Sequence, residues 1–75
     1  MSEIQRVYKI IGDKIAQARV KQGMTQLELV EFLLPELKLH RTSITHIENG
    51  KQRIMLHDLI TIFQKLGIKL NFELT

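Results

Sequence analysis

The sequence predicts an all-α domain of four main helices that ends in a short β-strand. Three observations predict it. Apolar residues recur at helical spacing in four segments of the chain. Gly23, Gly50 and Gly67 each follow such a segment, where a residue able to adopt positive φ can end a helix. From Ile68 to Thr75 the apolar period changes to two, which is typical of a strand with one apolar face.

The length of 75 residues predicts one domain, residues 1–75, with a single core. A domain of this size buries only about 60% of the surface of its unfolded chain, so its stability should be marginal. The chain has no cysteine, which excludes disulfides and thiolate metal sites. No apolar run approaches the roughly 20 residues of a membrane span. The first residues are too polar for the core of a signal peptide, so we expect a soluble, cytoplasmic protein.

Local signals predict where the helices begin and end. The second helix begins at Thr25, which forms a capping box with Glu28, and it ends before Pro35. The third helix begins at His40 or Thr42 and places its isoleucines on one face. The apolar stripe of the first helix consists of Ile4, Val7, Ile11, Ile15, Ala18 and Val20. That of the fourth helix consists of Leu56, Leu59, Ile60, Phe63 and Leu66.

The C-terminal segment predicts self-association. Its apolar face consists of Ile68, Leu70, Phe72 and Leu74. A lone strand cannot satisfy its backbone donors and acceptors, and no other segment alternates so regularly. We therefore expect the strand to pair antiparallel with the same strand of a second copy, as a homodimer.

The positive charge is concentrated in one part of the sequence. The net charge is +3, and Lys38, Arg41, Lys51 and Arg53 lie within a short stretch that contains one acid, Glu48. An ordinary solvated surface would mix the signs evenly. A local basic stripe is instead typical of a surface that binds phosphates.

Two segments of the chain contain a series of short motifs. The segments are IGDKIAQARVKQGMTQLELVEFL and RTSITHIENGKQRIMLHDLITIFQKLGI. The motifs occur in this order: I-x-x-x-R before G-x-T-Q, then E-L, then S-I-x-x-I-E-N-G-K, then L-x-x-L and a closing L-G. Together they resemble the Xre family, the lambda-repressor- and Cro-like helix-turn-helix regulators. The resemblance covers residues 10 to 68 and implies a lambda-repressor-like bundle with a helix-turn-helix core at residues 25–50.

The sequence departs from the family in two places. The segment around Leu34 to Lys38 adds residues to the usual turn, which predicts a longer loop before the recognition helix. The strand-like tail, residues 68–75, stands where many members have a fifth helix. Antitoxins of the HipB type look similar here and dimerise through such a strand.

The resemblance implies which side chains contact DNA bases. The recognition helix of the family corresponds to about Arg41 through Asn49. Arg41 is the first candidate, because a guanidinium can bond guanine O6 and N7 together. The outward side chains expected to contact bases are Arg41, Thr42, Ser43, Thr45 and His46.

Other residues are expected to contact the phosphate backbone. They are Gln26, His40, Asn49, Lys51 and Arg53. In the family a glutamine at the position of Gln26 clamps a phosphate, and the start of a helix favours anions in any case. Such contacts fix the register on DNA but carry no sequence information.

The remaining charged and titratable residues are expected to be structural. The resemblance implies a largely buried ion pair between Arg19 and Glu48, and removing one partner would cost about 3–5 kcal/mol. His40, His46 and His57 lack the spacing of metal ligands, and no nucleophile and base can be assembled. We therefore expect no metal, no cofactor and no enzymatic activity.

These features predict a sequence-specific DNA-binding transcriptional regulator, a repressor that enters the major groove of double-stranded DNA as a homodimer. A first alternative is the antitoxin of a toxin–antitoxin pair, which binds a toxin protein and represses its own operon. The small size and the tail motivate it. A second alternative is a protein-interaction module that no longer binds DNA. The long turn favours it, whereas Arg41, Lys51 and Arg53 oppose it.

Overall fold

A computed structural model describes residues 2–70 of the chain, which fold into a bundle of four α-helices. α1 packs against α3 and α4, and α2 packs against α3. The helical part of the predicted architecture is thereby confirmed. The helices are α1 (Glu3–Lys21), α2 (Gln26–Leu33), α3 (Arg41–Glu48) and α4 (Leu56–Leu66).

The predicted helix ends are confirmed where local chemistry determines them. The Thr25 hydroxyl accepts a hydrogen bond from the Glu28 backbone N–H at 3.0 Å, and the Thr25 N–H donates to the Glu28 carboxylate at 2.9 Å. Gly23, Gly50 and Gly67 all adopt positive φ, between 71° and 75°. The capping box satisfies backbone N–H groups that the start of a helix leaves free. The glycines turn the chain away at the helix ends.

The hydrophobic core is formed by buried residues from all four helices. Its composition differs from the predicted stripes at the helix ends, where several apolar side chains stay at the surface. Val20 and Leu56 are exposed, whereas Ile62, which lies outside the predicted stripe, is fully buried. The buried core residues are Ile15, Leu29, Leu33, Ile44, Ile47, Leu59, Ile62, Phe63 and Leu66.

α1 and α3 approach each other at Gly12. A Cβ atom added to this buried glycine would collide with the backbone oxygen of Ile47 and lie 2.7 Å from that of Glu48. Only a residue without a side chain allows this approach. Gly12 therefore sets the distance between the first helix and the end of the third.

The predicted C-terminal strand is not seen within residues 2–70. Ile68 and Leu70 are half-buried and pack against the core, but they form neither helix nor strand. The Ile68 N–H donates to the carbonyl oxygen of Phe63 at 2.8 Å, so it closes the end of α4 instead of joining a strand ladder. Phe72 and Leu74 lie outside the described residues.

Candidate nucleic-acid interface

α3 has one apolar face and one polar face. Ile44 and Ile47 point into the core and are 0% and 4% exposed. Arg41, Thr42 and His46 are exposed on the other side of the helix. A short helix held by its isoleucines thus presents a cation, a hydroxyl and an imidazole to the outside.

Ser43 and Thr45, two further candidates for base contacts, are half-buried at the margins of this polar face. The Thr45 hydroxyl lies 2.9 Å from the side-chain oxygen of Gln26, to which it donates, and 3.2 Å from the carbonyl oxygen of Arg41. The side-chain nitrogen of Gln26 in turn donates to the Glu48 carboxylate at 3.1 Å. Gln26, a predicted phosphate contact, therefore also connects the start of α2 to α3.

An ion pair completes this network. Arg19 donates to the Glu48 carboxylate through Nε at 2.7 Å and through Nη2 at 3.1 Å, and its Nη1 donates to the carbonyl oxygen of Met24 at 2.7 Å. Glu48 is only 7% exposed. Its charge is compensated by the guanidinium and by Gln26, so the network from Arg19 to Thr45 joins α1, α2 and α3.

The connection between α2 and α3 is an ordered loop of residues 34–40. Leu37 and Leu39 pack against the core. Glu36 forms an ion pair with Lys65 of α4 at 2.8 Å, and the hydrogen bond from Lys65 lowers the pKa of Glu36 below its ordinary value. The lengthened turn is thus anchored to α4, while the hydrogen-bonded network holds α2 against α3.

The loop after α3 carries most of the predicted phosphate contacts. Asn49 caps the end of α3, and the Lys51 N–H donates to the carbonyl oxygen of His46 at 2.8 Å. The side chains of Asn49, Lys51 and Arg53 are exposed. His40, at the other end of α3, is also exposed and makes no side-chain capping bond. These polar groups therefore flank the outward face of α3 at both ends.

The link between Gln26 and Thr45 and the role of Gly12 could not be predicted from the sequence. Both depend on a partner in another helix, and no local pattern marks them. Within residues 2–70, no group of histidines and carboxylates is arranged to hold a metal ion. None of the helices in this part of the chain is both long enough and apolar enough to cross a bilayer.

Residues 12–74 of the chain match a family of helix-turn-helix domains. The match covers most of the sequence, and the protein belongs to this helix-turn-helix family. Membership supports a DNA-binding regulator, and it supports the resemblance to the Xre regulators at this broader level. Comparison with curated proteins and with solved structures gave no match.

Proposed function

We propose that the protein is a sequence-specific transcriptional repressor that inserts α3 into the major groove of double-stranded DNA. The division of α3 into two faces is the observation that supports this most. Ile44 and Ile47 fix the helix, and the only acid of α3, Glu48, is turned inward to Arg19. The outward face is left without negative charge, as contact with DNA requires.

The exposed positions of α3 suit base contacts. Arg41, in the first turn, can donate hydrogen bonds from two guanidinium nitrogens to O6 and N7 of one guanine. Thr42 and His46 are four residues apart, so they lie on one side of the helix and can meet neighbouring base pairs. Lys51 and Arg53 would contact phosphates and fix the register. Binding of this kind requires no cofactor and no catalysis, since an occupied operator is blocked to other proteins.

The proposed assembly is a homodimer of the Xre type, as in the HipB-like members with a C-terminal strand. An apolar groove between α1 and α4 supports it. Ile4 and Leu56 line this groove and are 67% and 63% exposed. The groove continues past Leu56 to Leu70, the last described residue. Contiguous exposed apolar surface is a common mark of a protein–protein interface.

A second copy is the occupant that the geometry favours. Leu70 lies at one end of the groove, where the predicted strand continues with Phe72 on the same face. Two such strands paired antiparallel about Asn71 would place Phe72 of each copy opposite Leu70 of the other. The groove and the strand would then form one continuous interface about a two-fold axis.

The decisive experiment compares Arg41→Ala with Arg53→Ala on a DNA site selected by the wild-type protein from random duplexes. Arg41→Ala should lose about 1–3 kcal/mol of discrimination at one base pair of each half-site. Arg53→Ala should weaken binding equally on the selected site and on random DNA, because a phosphate contact carries no sequence information. Titrations by fluorescence anisotropy measure both effects.

An Arg41→Ala variant with unchanged affinity and base preference would contradict the proposal. It would favour a protein-interaction module that has kept the fold without DNA binding.

The exposed groove also supports a second candidate, an antitoxin whose apolar surface is covered by a toxin protein. The test is co-expression with the product of the neighbouring gene, followed by sizing with light scattering. A stable complex of the two proteins would establish the antitoxin role. A homodimer that does not bind the second protein would exclude that partner.

A further inference from the structure

The first half of α1 lies directly against the loop that follows α3. A Cβ atom added to Gly50 would lie 2.8 Å from the Cα and 2.9 Å from the backbone nitrogen of Lys9. The two backbones are therefore in contact, although the residues are far apart in sequence. Gly50, with φ of 71°, is suited to this close approach.

A cleft lined largely by polar residues runs along this contact and joins α1 to the proposed phosphate-binding loop. At one end it is lined by Gln5, Lys9, Asn49 and Lys51. Its wider continuation includes Gln5, Lys51, Tyr8 and Arg53. Three cations and several neutral hydrogen-bond donors thus converge on one concave surface.

The cleft begins where the outward face of α3 ends. Thr42, His46 and Asn49 are spaced by four and three residues, so they follow one side of the helix toward the cleft. The major groove is about 12 Å wide and is bounded by phosphate strands. A helix lying in that groove therefore brings the surface at its end against one of these strands.

Lys9 is the residue of α1 that carries the charge of this cleft. Its Nζ lies 2.7 Å from the Asp13 carboxylate, and both side chains are about half exposed, at 46% and 48%. Exposed pairs of this kind contribute little free energy. A phosphate in the cleft can therefore compete with Asp13 for the ammonium group.

We infer that this cleft binds a backbone phosphate of DNA, with Lys9 supplying the charge and Gln5 and Tyr8 supplying hydrogen bonds. The inference rests on the proposed function and extends the DNA surface onto α1. The family match begins at Gly12, so these residues lie before the matched domain.

The test measures the salt dependence of binding to a short fluorescent DNA duplex of random sequence, for which no operator is needed. Lys9→Gln should lower the log–log salt slope by about 0.9 per protomer. At about 0.15 M salt that change corresponds to roughly 5-fold weaker binding per protomer. Lys9→Arg keeps the charge and should retain most of the slope.

Lys21→Gln is the matched control, because Lys21 is exposed on the same helix and lines neither the cleft nor the apolar groove. Its slope should remain that of the wild type. Equal effects of Lys9→Gln and Lys21→Gln would overturn the inference, because only the overall charge would then matter. Lys51→Gln distinguishes a failure of the proposed cleft from a failure of the proposed DNA binding. A slope lowered by Lys51→Gln but not by Lys9→Gln overturns the cleft alone, whereas wild-type binding without any salt dependence overturns the proposed function.

Discussion

Gly12 is the residue at which α1 and α3 come closest, and its missing side chain is part of the packing. The obstacles to a larger residue are backbone oxygens of Ile47 and Glu48, which cannot move aside as a flexible side chain could. Replacement by alanine would push α1 away from the end of α3. Arg19, on the same helix, would then move relative to its partner Glu48.

Gly12→Ala should therefore lower the free energy of unfolding by about 1–3 kcal/mol, the usual cost of overpacking. This outcome is opposite to that expected from helix propensity alone, which favours alanine over glycine by about 1 kcal/mol. Urea unfolding followed by circular dichroism measures the change. Gln17→Ala, an exposed position of the same helix, is the control and should leave the stability nearly unchanged. A Gly12→Ala variant as stable as the wild type would refute the tight approach of the two helices.

Residue roles were predictable from the sequence where one neighbour along the chain determines them. The Thr25–Glu28 capping box and the positive φ of Gly67 depend on residues within one turn. By contrast, the bond from Thr45 to Gln26 depends on how two helices pack. Helical periodicity gives the face of each helix but not the rotation and distance of the next one.

At the scale of elements, α2 and α3 begin in different ways. Its capping box fixes Thr25 and Glu28, whereas α3 begins at His40 without any side-chain cap. The position of α3 consequently depends on its buried isoleucines and on the network around Glu48. Weakening the start of α2 should therefore disturb the position of α3.

The capping box also makes stability depend on pH. The backbone and side-chain hydrogen bonds with Thr25 lower the pKa of Glu28 below its ordinary value of 4.5. A lowered folded-state pKa stabilises the protein above pH 4.5, and this contribution is lost as the pH falls through the folded pKa. Glu28→Gln should therefore lower stability at pH 7 and make the acid limb of the stability curve shallower.

Urea unfolding across the acid range measures this dependence. Glu31→Gln, exposed on the same helix and outside the capping box, is the control for loss of a carboxylate. If both variants follow the same pH profile, the capping carboxylate is not the source of the effect.

At the scale of the whole molecule, α1 contributes to two different surfaces. Lys9 faces the loop after α3, while Ile4 and Ile11 face the apolar groove shared with α4. The order of the helices, including the place of α3 among them, was predictable from capping, glycines and apolar periodicity. The groove was not, because its walls come from both ends of the chain and appear in sequence only as parts of ordinary helical stripes.

Leu56→Glu should convert the proposed dimer into a monomer, because it places a charge in the apolar groove. Leu56 is 63% exposed, so the change leaves the core intact. Light scattering at several concentrations measures the mass. Leu27→Glu is the matched control, since Leu27 is 54% exposed on α2 and does not line the groove. A Leu56→Glu protein that remains dimeric would exclude the groove as the interface, and truncation after Gly67 would then test the tail by itself.

The hydrogen bond between Thr45 and Gln26 has a consequence for changing the DNA preference of this protein. The side chains of Arg41, Thr42 and His46 are exposed and can be exchanged one by one. Position 45 is different, because the Thr45 hydroxyl donates a hydrogen bond to the side-chain amide of Gln26. The same amide donates to the Glu48 carboxylate. Grafting the outer residues of another recognition helix onto this one should therefore succeed only when positions 26 and 45 are replaced as a pair.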